Sequence, residues 1–249
     1  MWMLNYTDNQ KGFTLVELSI VLLIIALMVT SVLVGKELVR SAEIRAVITQ
    51  YDDFTAAVGT FKNKYNGLPG DIRGQTDFGF VGNGNQNGML ASDTDMTAGE
   101  NSFFWSHLGS SGAQLISGAY TGEAAEGAPH DNLKTISPLA QTGLVHWGVY
   151  ADAAAATNYF VLGLTSPTTV GQFETAGALS PIDARSIDEK IDDGMPNKGL
   201  VNAGMGANKA FELPDENCVS GREENATYMT NDKAKANTVA CTLRFRMAL

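Results

Sequence analysis

The first part of the chain is almost entirely apolar and is followed by a regular alternation of apolar and polar positions. Residues 13–35 carry one charged side chain, that of Glu17. As an α-helix that rises about 1.5 Å per residue, this segment would extend roughly 34 Å, close to the hydrocarbon thickness of a membrane. The pattern therefore predicts a helix that spans the lipid bilayer. A removed secretory signal is the alternative, but it requires a more basic start than Lys11 provides and a small-residue exit site.

Helical periodicity continues after Gly35, where the composition becomes more polar. No proline interrupts residues 13–68, and Gly67 and Pro69 then predict the end of the helix, because glycine adopts the left-handed C-cap and proline cannot continue a helix. We predict one helix of about 50 residues, whose soluble half, residues 36–68, packs an apolar stripe on the rest of the protein. The stripe follows steps of three and four residues: Ile44, Val47, Ile48, Tyr51, Phe54, Val58, Phe61 and Tyr65.

Residues 69–249 show the patterns of a mixed head with helices and strands. Residues 70–100 are rich in Gly, Asn and Asp and are predicted to form a loop, and residues 101–116 are predicted to form an amphipathic helix. Runs of β-branched and aromatic residues bounded by Gly, Asn and Pro predict one antiparallel sheet. These runs cover residues 144–151, 158–164 and 239–247.

A further helix is predicted from its N-terminal signal. Ser180 is a good cap, Pro181 takes the first helical position and Asp183 lies three residues after the cap. The helix should run to about Asp193 and close at Gly194. We predict that its acidic side chains form a solvated face: Asp188, Glu189, Asp192 and Asp193. The fold class is therefore α+β, with a long N-terminal helix, half of it transmembrane, packed on a small antiparallel sheet.

The chain is acidic, with 27 Asp and Glu against 17 Lys and Arg and a net charge of −10. Proteins that bind nucleic acid displace counterions with clusters of Lys and Arg, and the sequence contains no such cluster. The charge therefore argues against nucleic acid as a partner.

Signatures of enzymes are absent from the sequence. It contains no Gly-x-Ser-x-Gly, no His-Glu-x-x-His and no phosphate-binding loop. Its three histidines, His107, His130 and His146, are too scattered for a zinc site, and two of them lie within two residues of a tryptophan, which favours packing. We expect no catalysis, no metal and no cofactor.

The loop contains one pattern that could bind calcium. Asn83, Asn85, Asn87 and Gly88 have the spacing of the first half of an EF-hand loop. The second half does not fit, because Thr94 stands where a bidentate glutamate is required. A turn rich in Gly and Asn is the preferred interpretation, and calcium binding is the alternative.

The strongest sequence signal is a glycine, an aromatic residue and an acid at the start of the apolar run. The stretch is Gly12-Phe13-Thr14-Leu15-Val16-Glu17. It resembles the N-terminus of the type IV pilins and of the pseudopilins of type II secretion. In that family, a prepilin peptidase removes a short hydrophilic leader after the glycine and N-methylates the new first residue. The resemblance implies a leader of residues 1–12, cleavage between Gly12 and Phe13, and methylation of Phe13.

The resemblance also implies a structural role. Such a subunit assembles through its N-terminal helix into a type IV pilus or a type II secretion pseudopilus. Its partners would be prepilin peptidase, other pilin or pseudopilin subunits and an inner-membrane assembly platform. We expect a single-pass inner-membrane protein whose head, residues 69–249, lies in the periplasm, or outside the cell in a filament. The alternative is a binding module, an adhesin or receptor displayed on the filament.

Glu17 is the acid of this family by resemblance. A carboxylate on a lipid-facing helix costs on the order of 3 kcal/mol near the bilayer centre, so it normally marks a functional contact. The resemblance implies that in a staggered stack of subunits this carboxylate meets the N-terminal ammonium of Phe13 in another chain, which pairs two charges that are costly when buried alone. The alternative is an acid that reaches the membrane interface and has no role in assembly.

The two cysteines, Cys218 and Cys241, lie near the C-terminus. An even number of cysteines in an exported protein predicts a disulfide, here one that closes the C-terminal region of the head. A pair of packed thiols is the alternative.

Overall fold

The computed structural model describes residues 12–90, 99–122, 134–142, 145–153, 155–164, 177–206, 211–212, 217–221 and 225–247. The chain divides into two compact units, Met1–Ala42 and Glu43–Leu249. The sheet, the disulfide and the buried core all belong to the second unit.

A long helix, α1, runs from Leu15 to Tyr65, which confirms the predicted N-terminal helix. It ends where Asn66 takes the left-handed conformation with a φ of 54°. In the first unit, the apolar side chains of α1 are exposed, and this part is long and apolar enough to cross a membrane.

In the second unit, α1 buries the stripe predicted from its period. The ring centroid of Phe54 lies 5.0 Å from that of Trp105 and 5.5 Å from that of Trp147, and Tyr51 lies 5.0 Å from Phe245. Aromatic pairs at such distances contribute about 0.5–1.5 kcal/mol each beyond the burial of their area. The buried members of the stripe are Ile44, Val47, Tyr51, Phe54, Val58 and Phe61.

The sheet is antiparallel throughout, with the strand order β1-β2-β5-β3-β4. Four strands form its body, and the fifth, β4, is a two-residue edge strand. The strands are β1 (His146–Asp152), β2 (Thr157–Leu164), β3 (Val201–Gly206), β4 (Phe211–Glu212) and β5 (Thr242–Arg246). The three predicted strand runs correspond to β1, β2 and β5, which confirms the α+β class. Strands β3 and β4 were not predicted.

The described part of the head contains two further α-helices and a five-residue π-helix, Gly74–Phe78. The first, α2 (Gly99–Leu108), is shorter than the predicted helix over residues 101–116, because Gly109 and Gly112 lead the chain into turns. It is also buried on nearly all sides, whereas an amphipathic helix was predicted. The second, α3 (Pro181–Ile191), has the predicted start: Ser180 Oγ accepts a hydrogen bond from the Asp183 N–H at 3.2 Å.

Cys218 and Cys241 form a disulfide, as predicted for the C-terminal region. Cys241 directly precedes β5, and its carbonyl oxygen accepts hydrogen bonds from the N–H groups of Ala178 and Leu179. The two cysteines are 23 positions apart in the sequence, and a crosslink that closes a loop of that length contributes about 3 kcal/mol to the free energy of unfolding. The disulfide thus ties the segment around Cys218 to the residue that directly precedes a central strand.

Candidate functional site

The segment that carries the predicted processing and assembly residues lies at the start of α1. Gly12, Phe13 and Thr14 precede the helix and are not helical. The side chain of Phe13 is 83% exposed. Glu17 is also exposed, in the first turn of α1. The structure therefore places Phe13 and Glu17 at the same end of the helix.

Thr14 and Glu17 form a reciprocal cap of this helix. The Glu17 carboxylate oxygen Oε2 accepts hydrogen bonds from the backbone N–H and the hydroxyl of Thr14, both at 2.8 Å. In return, the Thr14 hydroxyl oxygen accepts a hydrogen bond from the backbone N–H of Glu17 at 3.2 Å. This is a capping box, which satisfies backbone donors that the first turn of a helix leaves without partners.

The cap gives Glu17 a local role that the sequence analysis missed. The missed signal was the spacing Thr-x-x-Glu immediately before an apolar run, which is typical of a capping box. The carboxylate also lies at the positive end of the helix dipole. The cap therefore holds the Glu17 carboxylate at the first turn of α1.

The Asn-rich part of the loop uses its amide oxygens to hold its own backbone. The side chain of Asn83 accepts hydrogen bonds from the N–H groups of Gln75 and Thr76, both at 3.1 Å. Asn85 and Asn87 each accept one from the N–H two residues further along the chain. Such Asx turns are the usual use of Asn in tight loops. These contacts support the interpretation of the segment as a turn.

Two buried carboxylates anchor this loop to the head. The oxygens of Asp71 accept hydrogen bonds from the N–H groups of Asn87 at 3.0 Å and Gly88 at 2.9 Å. Glu100, in α2, accepts one from the N–H of Asn85 at 2.8 Å. Burial, and to a lesser extent the charge of Asp71, raises the pKa of Glu100. Residues 70–90 therefore form a folded part of the head and not a free loop.

We propose that this loop keeps its shape without calcium. A site with a Kd of about 10 µM would stabilise the fold by about 2.7 kcal/mol in 1 mM calcium, which is a shift of roughly 5–10 °C in Tm for a protein of this size. We expect thermal unfolding, followed by circular dichroism of the full chain in detergent, to give the same Tm in 1 mM calcium and in 1 mM EGTA. A rise of about 5 °C or more in calcium would contradict the proposal.

The prediction that the acidic side chains of α3 form a solvated face is wrong for Asp188. Asp188 is fully buried and accepts hydrogen bonds from the Tyr228 hydroxyl at 2.8 Å and the Gly194 N–H at 3.2 Å. Burial, with smaller contributions from Asp193 and Asp192, raises the pKa of Asp188 to about 7. One carboxylate oxygen from each of Asp188, Asp192 and Asp193 lies within 4.8 Å of the other two. Glu189 is exposed and pairs with Arg185, as a solvated face requires.

His107 packs among aromatic rings, as its position beside Trp105 predicted. It is stacked on Phe61 and Phe103, with centroid distances of 6.2 and 6.4 Å. Its Nδ1 accepts a hydrogen bond from the Gly70 N–H, and its Nε2 donates one to the carbonyl of Val81. Burial lowers the pKa of His107 to about 4, so the ring is neutral at physiological pH. The ring thereby ties the backbone at Gly70 and Val81 to the buried core.

Comparison with known protein families finds a match at the N-terminus. Residues 7–33 match the family model of the prokaryotic N-terminal methylation motif. No curated protein and no solved structure matches the chain. The matched residues include the predicted cleavage position and Glu17, and they lead into the exposed apolar part of α1. This chain therefore carries the prepilin-type N-terminal signal of the type IV pilins and pseudopilins.

Proposed function

We propose that the protein is a prepilin-like structural subunit that assembles through α1 into a type IV pilus or a type II secretion pseudopilus. The observation that carries this proposal is the methylation motif over residues 7–33, followed without interruption by an exposed apolar helix. A peptidase that processes the chain and other pilin-like subunits are the partners that such a motif implies. A structural subunit needs no catalytic site, in agreement with the lack of enzyme signatures in the sequence.

Processing would occur at the bond between Gly12 and Phe13. This bond lies before the first helical residue, so cleavage would not break the hydrogen-bond ladder of α1. An added side chain at Gly12 would meet no other atom within 4 Å, so nothing in the described fold covers the residue. Removal of residues 1–12 would make Phe13 the N-terminus and give it the ammonium group that the assembly proposal requires.

Assembly would bury the apolar part of α1 against the same part of other subunits. Large apolar side chains between Phe13 and Val39 are exposed, which is not stable in water and requires lipid or a partner helix. The Glu17 carboxylate would meet the Phe13 ammonium of a neighbouring subunit and fix the stagger between the two helices. Glu17 and Phe13 are thus the proposed assembly residues.

The same reasoning gives the proposed location. Residues 13–35 would cross the inner membrane once and contact its lipid bilayer, with residues 36–68 and the head on the periplasmic side. The inner-membrane assembly platform would then move subunits into a filament, in which the head faces the periplasm or the outside of the cell.

The sharpest test of the proposal is the mature N-terminus. We expect mass spectrometry of the protein from its native host to show a chain that begins at methylated Phe13. A strain without the prepilin peptidase should retain residues 1–12. A mature protein that begins at any other residue would contradict the proposal.

Ligand binding by the head is a second candidate function. One observation favours it: the head contains a polar cavity at the end of α1, and Lys62 and Arg246 are among the residues that line it. Such a cavity would suit a binding module displayed on a filament.

A further inference from the structure

The cavity has a volume of about 430 Å³, which lies within the range of small-molecule sites. Its walls come from four parts of the head, one of which is the turn before β2 with Ala156. The last turn of α1 provides Lys62, the loop anchored by Asp71 provides Gln86, and the end of β5 provides Arg246. All of these parts belong to the second unit, so the cavity is complete within the head.

The charges around the cavity favour an anion. Within the described part of the chain, neither Lys62 nor Arg246 forms an ion pair or a side-chain hydrogen bond. The carboxylate of Asp71 also lines the cavity, but backbone N–H groups of Asn87 and Gly88 already bind both of its oxygens. Two cations and one carboxylate give a local charge of +1 in a chain whose net charge is −10. Like charges at one cavity repel each other, and an anion between them removes that cost.

The backbone around the cavity is strained. Gln86 and Ala156 line it and have φ angles of 60° and 48°. Asn66, which also lines it, has a φ of 54° because it ends α1, and Asn adopts the left-handed conformation there without much strain. Among the described residues, only one other non-glycine residue, Gln114, has a positive φ. Such conformations cost about 1–3 kcal/mol each and cluster at ligand-binding sites, where the rest of the fold maintains them. The concentration of strain at one cavity is a second indication of function that is independent of charge.

The polar groups define the ligand more closely. Side chains of Asn66 and Gln86 offer both hydrogen-bond donors and acceptors, as ligand hydroxyl groups require. The planar guanidinium of an arginine matches a carboxylate with two parallel hydrogen bonds. We propose that this cavity binds a hydroxylated carboxylate of the sugar-acid class, with Arg246 and Lys62 on the carboxylate and the amides on the hydroxyl groups. This proposal goes beyond assembly and does not depend on it.

The test measures binding of glucuronate to the full chain in uncharged detergent by isothermal titration calorimetry. Glucose is the neutral probe of the same size, and inorganic phosphate is the probe for a general anion site. We expect saturable binding of glucuronate, and at least tenfold weaker binding of both glucose and phosphate. No saturable binding of glucuronate at about 50 mM, or equal binding of either other probe, would overturn the proposal.

Variants connect the binding to the cavity. Arg246→Gln and Lys62→Gln should each weaken glucuronate binding about tenfold or more, because each removes a charge-assisted hydrogen bond. Lys64→Gln is the matched control: it lies on the same helix, does not line the cavity, and its ammonium group lies 4.9 Å from the ring centroid of Tyr65. An equal loss in the control, or no loss in either cavity variant, would overturn the proposal. The variants change exposed side chains, and an unchanged circular dichroism spectrum verifies their fold.

Glu17→Gln should bind glucuronate as the wild type does, so a failure of assembly and a failure of this site are distinguishable.

Discussion

Replacement of Glu17 with alanine is expected to lower incorporation into filaments roughly 100-fold, while cleavage after Gly12 continues. The reason is the cost of an unpaired charge: removal of one partner from a buried ion pair costs about 3 kcal/mol or more, because the other charge remains without compensation. Incorporation is measured as the fraction of subunit in sheared filaments relative to the membrane fraction. Cleavage is measured separately by mass spectrometry of the membrane fraction.

The capping box makes alanine an ambiguous variant, because it removes the cap together with the charge. Glu17→Gln separates the two effects. A glutamine at this position can still accept the hydrogen bond from the Thr14 N–H, since Glu and Gln both serve in capping boxes. It cannot neutralise the ammonium group of a neighbouring subunit. We therefore expect Glu17→Gln to be almost as defective as Glu17→Ala.

Thr14→Ala is the complementary control. It removes the hydroxyl that binds both the carboxylate and the backbone of Glu17, and it keeps the charge. Loss of such a cap costs about 1 kcal/mol of helix stability. We expect near-normal incorporation of Thr14→Ala. If it is defective and Glu17→Gln is normal, the carboxylate is needed for the cap, and the pairing between subunits is wrong.

The sequence was most informative where a structural signal is local and continuous. The period of α1 predicted its buried stripe because no proline interrupts it and the members of the stripe that are buried follow one another by three or four positions. The cap of α3 was predicted for the same reason, since Ser180 and Asp183 are close in sequence. The N-terminal motif is also contiguous, and the family comparison confirms it.

The sequence failed where distant residues decide the structure. Strand β3 has the sequence Val-Asn-Ala-Gly-Met-Gly, with little β-propensity of its own, and it forms because it pairs with β5. The burial of Asp188 depends on Tyr228, which lies 40 residues further along the chain. No local pattern around Asp188 differs from that of an exposed acid. The capping box at Thr14 is different, because its signal was present in the sequence and was overlooked.

Stability of the head is expected to fall as the pH rises from about 4 to about 7, and Asp188→Asn should remove most of this fall. In the folded protein, burial raises the pKa of Asp188 from 3.8 to about 7. In the unfolded chain, the same carboxyl ionises near its ordinary pKa. Between these values the folded state holds a proton that the unfolded state has released, so a rise in pH favours unfolding.

The size of the effect follows from the difference between the two pKa values. One pKa unit corresponds to about 1.4 kcal/mol. The shift in the pKa of Asp188 from 3.8 to about 7 therefore lowers the free energy of unfolding by on the order of 4 kcal/mol at most. The charges that face this group are those of Asp192 and Asp193, and Tyr228 is the titratable group bonded to it. Asparagine keeps an oxygen for the Gly194 N–H and has no proton to lose. We therefore expect Asp188→Asn to be more stable than the wild type at pH 8 and about equal to it at pH 4.

Thermal unfolding of the full chain in uncharged detergent, followed by circular dichroism at pH 4, 5.5, 7 and 8, measures this difference. Other carboxyl groups titrate in both proteins, so the difference between wild type and Asp188→Asn isolates one group. Glu189→Gln is the control, because it removes the neighbouring charge from an exposed side chain that pairs with Arg185 at the surface. It should keep the pH dependence of the wild type. If Asp188→Asn keeps that dependence too, Asp188 is ionised in the folded head at low pH, and its burial beside Tyr228 does not control the stability of this region.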